Sequence, residues 1–297
     1  MSVPIFLPII INVENAIQPT AGDPIFAQTG EQFVITNPST HSQDPVVIIG
    51  PNDGGIVTVA SGTPGANVVF AGDPDTTVEI GTAFSIDANG SSNFLSGAGS
   101  AFQVDSTFEG SLIANLSGSI TDGPTVDLEL ATQFGGTIAD AAGGVIESEE
   151  GVEPLLEGEF SYYVNGGAGN DQIKGSQASD FIRGGAGNDN IDGGAGDDLI
   201  RVGSGDDTVE LGAGADVLYW TVDQFEGDSV NTIRDFTSGE DIIAIESEVA
   251  SRIDVEFAEN GQAFTVTLLN EAGEVEGTTV VISENDEFDF PNDFAFV

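Results

Sequence analysis

Six aspartates spaced nine residues apart, Asp171, Asp180, Asp189, Asp198, Asp207 and Asp216, are the residues of this chain best suited to do chemistry. A file of carboxylates with no thiol or imidazole among them offers hard oxygen ligands, the chemistry of a cation such as calcium. Each stands sixth in a nonapeptide, and the six nonapeptides run in tandem from Gly166 to Tyr219. They read GGAGNDQIK, GSQASDFIR, GGAGNDNID, GGAGDDLIR, VGSGDDTVE and LGAGADVLY. The eighth place is aliphatic in every copy: Ile173, Ile182, Ile191, Ile200, Val209 and Leu218.

The period dictates the elements that must hold the carboxylates. A turn of about six residues followed by a strand of about three is the sequence form of a parallel β-roll. The turn needs glycine at places two and four, where φ is positive and backbones approach closely. Gly167, Gly169, Gly185, Gly187, Gly194, Gly196, Gly203, Gly205, Gly212 and Gly214 fill those places and complete the candidate metal set. Strand side chains alternate, so the eighth residue points inward. The ninth place, with Lys174, Arg183 and Arg201, is expected to face water.

These six in-phase copies resemble the repeats-in-toxin (RTX) family of calcium-binding, type I secreted bacterial proteins. The segment Asn231 to Ile245 looks like the one that follows such arrays, and Asp293 to Val297, an acid before a short apolar tail, looks like the end of an uncleaved C-terminal secretion signal. The resemblance implies two nonapeptides per coil. Asp171 would then pair with Asp189, Asp189 with Asp207, Asp180 with Asp198, and Asp198 with Asp216. Two carboxylates plus turn carbonyls per Ca2+ give roughly four interior sites, and folding coupled to the ion. It also implies type I secretion machinery as a partner and a secreted, extracellular or cell-surface location. Two features depart from the pattern: Ser176 and Ala178 replace both turn glycines of the second repeat, and Val202 and Leu211 replace the first glycine of the last two.

Composition narrows the partners. Fifty acidic residues against five Lys and Arg give a formal charge of −45, and no Lys or Arg precedes Lys174. Nucleic acid and anionic membrane surfaces need a basic patch and are excluded as partners. Membrane insertion is not expected: the apolar start, residues 1–13, is too short to span a bilayer. Pro4 and Pro8 interrupt that start and it has no basic n-region, so a cleaved signal peptide is not expected. Without cysteine, stability must come from packing and metal.

The chain reads as all-β: a calcium-binding parallel β-roll over residues 161–219, with a β cap and secretion signal over 220–297. Before them come an apolar arm, residues 1–15, and a β-rich domain, 16–160. Short apolar runs there (Phe33–Thr36, Val46–Ile49, Ile56–Ala60, Val68–Phe70, Val78–Ile80, Phe102–Val104, Leu112–Leu116 and Val126–Leu130) alternate with Gly, Asn, Asp and Pro. They fit a β-sandwich or an irregular β-solenoid; the sandwich is preferred, with residues 151–158 as the joint. In the cap, Ile253–Phe257 and Ala263–Leu269 flank the turn pair Asn260-Gly261, and Thr278–Ile282 pairs next. The arm, residues 2–13, reads as a strand of its own domain or as one donated to another copy.

No catalytic residue and no other cofactor site is assigned. His41 is the sole histidine, in a polar stretch, and no GxSxG, phosphate loop or dinucleotide fingerprint occurs. The function expected is a secreted, calcium-binding, non-enzymatic structural protein that self-assembles into a bacterial surface layer, fibre or biofilm matrix. An extracellular adhesin or glycan-binding module is the alternative, and a small carboxylate-dependent hydrolase is a more distant one.

Overall fold

The computed structural model describes residues 10–12, 16–17, 25–35, 46–50, 55–61, 67–71, 76–80, 82–86, 92–94, 100–104 and 111–115. From residue 160 onward it describes all but 161, 168, 222–223, 225–226, 247–251, 271, 290 and 297. The expected run Val126–Leu130, the joint at 151–158 and His41 lie outside the described residues.

The described chain is all-β and winds as a parallel β-solenoid. One ten-stranded sheet contains, in spatial order, β2 (Ile25–Phe26), β4 (Val46–Ile49), β6 (Asn67–Ala71), β10 (Ser100–Val104) and β12 (Tyr162–Gly167). It continues through β14 (Phe181–Ala186), β16 (Leu199–Ser204), β18 (Val217–Trp220), β20 (Ile242–Ile245) and β24 (Phe294–Phe296). The facing sheet runs β3 (Gln32–Ile35), β5 (Gly55–Ser61), β7 (Thr76–Ile80), β11 (Ser111–Asn115), β13 (Gln172–Lys174), β15 (Asn190–Asp192), β17 (Thr208–Glu210) and β19 (Gly227–Ile233). Then come β23 (Val275–Ser283), β22 (Ala263–Leu269) and β21 (Ile253–Phe257). A small third sheet joins β1 (Ile10–Asn12), β8 (Thr82–Ile86) and β9 (Ser92–Phe94).

Of the two forms open to the N-terminal strands, they take the solenoid and not the preferred sandwich, and the reason is one inward row. Phe33, Val59, Ile80, Ala114, Ile173, Ile191, Val209 and Ile233 are register partners in succession. All are buried in a single core cluster. On the opposite sheet Val164, Ile182, Ile200, Leu218 and Ile243 form the matching row. The eighth-place stack of the nonapeptides therefore continues without interruption into strands that carry no repeat. A sandwich would bring its own core; here each coil buries its apolar residue only against the coils beside it.

The described part of the arm, Ile10–Asn12, pairs in parallel with Thr82–Phe84 of the same chain. At the other end the expected hairpin is present: β21 and β22 are antiparallel around Gly261, and β22 pairs antiparallel with β23. Phe264 is the hub of an aromatic cluster closing this end. Its ring centroid lies 4.9 Å from Phe288, 5.1 Å from Phe294, 5.8 Å from Phe257 and 6.3 Å from Trp220.

The ninth place needs a correction. Lys174 is partly exposed and ion-paired with Asp192, but Arg183 and Arg201 are buried, only 4% and 7% exposed. They share the outer face of the first sheet with buried Tyr163, Phe181 and Leu199, so that face is not solvated. The Arg201 guanidinium lies 5.8 Å over the Tyr219 ring and donates to Thr221 Oγ1. A planar, weakly hydrated guanidinium tolerates such a place where a carboxylate would not.

Removing the hub of the cap should be costly. Phe264→Ala is expected to destabilise the calcium-loaded protein by about 3–5 kcal/mol, measured by urea unfolding, with Phe257→Ala costing less because Phe257 is 37% exposed.

Candidate metal centre

The nonapeptide backbone explains where each carboxylate goes. Gly185, Gly187, Gly194, Gly196, Gly203, Gly205, Gly212 and Gly214 all have positive φ, from 104° to 146°. Each turn folds tightly enough to sit on the next: the Gly187 N–H donates to the Ser204 carbonyl, and the Gly196 N–H to the Ala213 carbonyl. A Cβ at Gly205 would fall onto the Gly187 carbonyl. The turns stack at the spacing of the strands, and the sixth-place aspartates stack with them.

Those aspartates form two files, one along each edge of the roll. Along the first, the Asp171 N–H donates to Asp189 Oδ1 (2.9 Å) and the Asp189 N–H to Asp207 Oδ1 (2.9 Å). Along the second, the Asp180 N–H donates to Asp198 Oδ1 (2.7 Å) and the Asp198 N–H to Asp216 Oδ1 (2.8 Å). The structure thus brings together the pairs that two repeats per coil require.

The second carboxylate oxygen is the informative one. Oδ2 of Asp189, Asp198, Asp207 and Asp216 is buried and has no hydrogen-bond partner. A buried, unpartnered carboxylate oxygen costs several kcal/mol unless a cation or proton meets it. Next to it lies a carbonyl of the following coil: a Cβ built on Gly184 would meet both Asp189 Oδ2 and the Val202 carbonyl. At Gly193 the same position would meet Asp198 Oδ2 and the Leu211 carbonyl. Among the described residues no group of three or more acidic, His or Cys side chains converges to hold a metal. Any ion here must complete its shell with backbone carbonyls, which suits calcium with its six to eight oxygens.

Electrostatics agree. Burial, then the Asp180 charge, pushes Asp198 up to about 9; burial, then Asp207, pushes Asp189 up to about 8. Burial raises Asp180, Asp207 and Asp216 to about 7 each. Calcium in the turns supplies the positive charge that otherwise has to come from protons.

Several residues of the ladder lie outside the sequence-based set. The Asp207 N–H donates to Asn231 Oδ1 (3.0 Å), and the Asp216 N–H to Asp241 Oδ1 (3.1 Å). Asn231-Thr-Ile and Asp241-Ile-Ile are thus the next sixth-to-eighth places, displaced because the interval grows from 18 to 24 and 25 residues. The signal was their polar-x-aliphatic triplet; the inserted residues hid its phase. Asp235 accepts from the N–H groups of Leu211 and Gly212. The first-place glycines Gly166, Gly175, Gly184 and Gly193 also matter, since a Cβ there would crowd the Oδ2 of the same turn. Val202 and Leu211 place side chains at that position, and both are buried in the core.

A family model matches the array itself. Residues 165–200 and 184–218 match the RTX calcium-binding nonapeptide repeat, described as four copies. Among solved structures, the AlgE6R3 subunit of the Azotobacter vinelandii mannuronan C5-epimerase is similar. It is 23% identical over 41% of this chain and 78% of that one, with a TM-score of 0.31. No curated protein matches the chain at a significant level.

Two outcomes are expected. Replacing Asp189 and Asp198 together by Asn should abolish the calcium-induced β signal in far-ultraviolet circular dichroism; a full gain at millimolar calcium would overturn the pairing of the two files. The second concerns pH. In the calcium-free fold these aspartates stay protonated up to about 7 to 9, while in the unfolded chain they ionise near 3.8. Folding without calcium therefore takes up protons. The stabilisation is fully present below about pH 4 and is lost as pH rises through about 7 to 9. In EGTA, β structure should grow as pH is lowered from about 9 to about 5; growth in the opposite direction would refute the burial of these groups.

Proposed function

Starting from a chain that carries an RTX calcium-binding β-roll, we propose a secreted, non-enzymatic structural protein whose copies assemble, when calcium is present, into a bacterial surface layer, fibre or biofilm matrix. The observation that carries this reading is the N-terminal end of the solenoid. Among the described residues β2 is the last strand of its sheet, and beyond β3 there is only the single bridge from Ile17 to Phe33. Phe26 is 74% exposed there, with Ile17 41% and Ile56 46% exposed. An open strand edge flanked by exposed apolar side chains is a template for a strand from another chain.

The strand this reading supplies is the apolar arm, residues 2–13, of a second copy. Within one chain Ile10–Asn12 pairs with β8 over three residues, so a donated arm exchanges that short ladder for one on its neighbour. Contacts of this kind are head-to-tail and propagate when the rotation does not close. The opposite end of the roll is covered by the β21–β23 antiparallel unit, whose outermost strand carries Asp254 and Glu256 and discourages further pairing. Calcium sets the timing: in calcium-poor cytosol the acidic turns stay open and the chain is competent for type I export, and extracellular calcium then orders them.

Light scattering with negative-stain microscopy tests the reading, first in EGTA and then at about 5–10 mM calcium, sufficient for weak extracellular sites. Ordered fibres or sheets are expected only with calcium; a monodisperse monomer in both conditions would end the structural reading. Deleting Ser2–Val13 is expected to leave a folded chain that no longer assembles, whereas loss of folding would make the arm part of its own domain.

A further inference from the structure

One turn of the array is built differently from the others. In the second nonapeptide the Ser176 N–H donates to Asp180 Oδ2 at 2.6 Å, so the oxygen that Asp189, Asp198, Asp207 and Asp216 leave without a partner is satisfied by backbone. The rest of the Asp180 carboxylate behaves as in its neighbours: Oδ1 accepts the Tyr162 N–H (3.1 Å), and its own N–H donates to Asp198 Oδ1. The difference is confined to the atom that would face an ion.

The cause lies at place two. In the regular turns that place is a glycine with positive φ, such as Gly194 (104°) or Gly212 (109°). A residue with a Cβ is disfavoured there. With Ser176 in that position, the amide four residues before the aspartate points at its carboxylate. Ser176 also closes the turn on itself: the Ala178 N–H donates to Ser176 Oγ (3.2 Å). In regular turns the place-four N–H goes instead to the next coil, as from Gly187 to Ser204.

The same device occurs twice beyond the array. The Thr237 N–H donates to Asp241 Oδ2 (2.8 Å), and the Asp289 N–H to Asp293 Oδ2 (2.7 Å), each across four residues. Three buried aspartates therefore share one solution, and none of these turns has glycine four residues before the aspartate.

We infer that the Gly175–Asp180 turn holds no calcium: the Ser176 amide occupies the role of the ion, and one of the two files of sites loses its first member. The first file keeps Asp171, Asp189 and Asp207 in sequence. The second begins only at Asp198. The turn is a hydrogen-bonded rung that keeps the coil spacing without a cation, and Asp241 and Asp293 are rungs of the same kind. This inference rests on the array as the calcium-binding element and adds which of its turns abstain.

Isothermal titration calorimetry of the full chain, stripped of calcium, tests it by counting ions. Ser176→Gly together with Ala178→Gly rebuilds the regular turn and is expected to bind one calcium more than the natural chain. Circular dichroism in calcium verifies that both fold alike. As the converse, Asp180→Asn is expected to leave the count unchanged, while Asp198→Asn lowers it. Equal counts for the natural chain and the double glycine variant, or an ion lost in Asp180→Asn, would overturn the inference. Should the natural chain bind no calcium at all, the failure lies with the calcium reading of the array itself.

Discussion

The structure depends on how a buried carboxylate is satisfied. Asp189, Asp198, Asp207 and Asp216 each serve two neighbours: Oδ1 ties its coil to the one before through a backbone N–H, and Oδ2 is left facing the inside of its own turn. The first role makes the carboxylate part of the ladder that sets the coil spacing, so it cannot swing out to water without opening the stack. The second leaves a buried negative oxygen that only a cation or a proton can satisfy. Glycines at places two and four follow from this, because positive φ keeps each turn tight and leaves room for the carbonyls of successive coils to approach. Binding free energy for the ion is then folding free energy for the roll.

The inner row is the second constraint, and it is indifferent to the first. Val59 stacks on Phe33 as Ile191 stacks on Ile173, although only the latter pair belongs to calcium turns. A parallel solenoid asks each coil for one or two inward apolar side chains and sets no length for the connection between them. The N-terminal coils can therefore dispense with ion-binding turns and still share a core with the roll. The same tolerance explains how the chain between Asp207 and Asn231 lengthens without breaking register at Thr232 and Ile233.

These two constraints decide what was legible in the sequence. Where both hold, the period is strict, and Asp171 through Asp216 and Ile173 through Leu218 could be read directly. Where only the inner row holds, as at Phe33, Val59, Ile80 and Ala114, the interval varies. A run such as Val46–Ile49 then looks the same whether it belongs to a sandwich or a coil. Asp241 was hidden for a related reason: its role is that of a seventh or eighth repeat, but an insertion removes it from phase. Arg183 and Arg201 were misplaced because alternation tells inside from outside and does not tell whether the outside is wet. Nothing in the repeat indicates that Tyr163, Phe181 and Leu199 lie on a second covered face.

The distribution of charge follows from the same physics. All five basic residues lie in the roll and its cap, at 174, 183, 201, 234 and 252. On the outer face of the second sheet two of them meet acids one coil away: Lys174 with Asp192, and Arg234 with Glu210 (3.2 Å) and Glu284 (4.0 Å). Ion pairs near the surface contribute about 1 kcal/mol each, too little to offset a net charge of −45. Their use is local, relieving repulsion where strict stacking puts like charges such as Asp192 and Glu210 in adjacent strands. A coil of irregular length can spread its carboxylates apart, but a coil of fixed period cannot. Counter-charge, whether a guanidinium outside or an ion inside, is therefore needed most where the repeat is most regular.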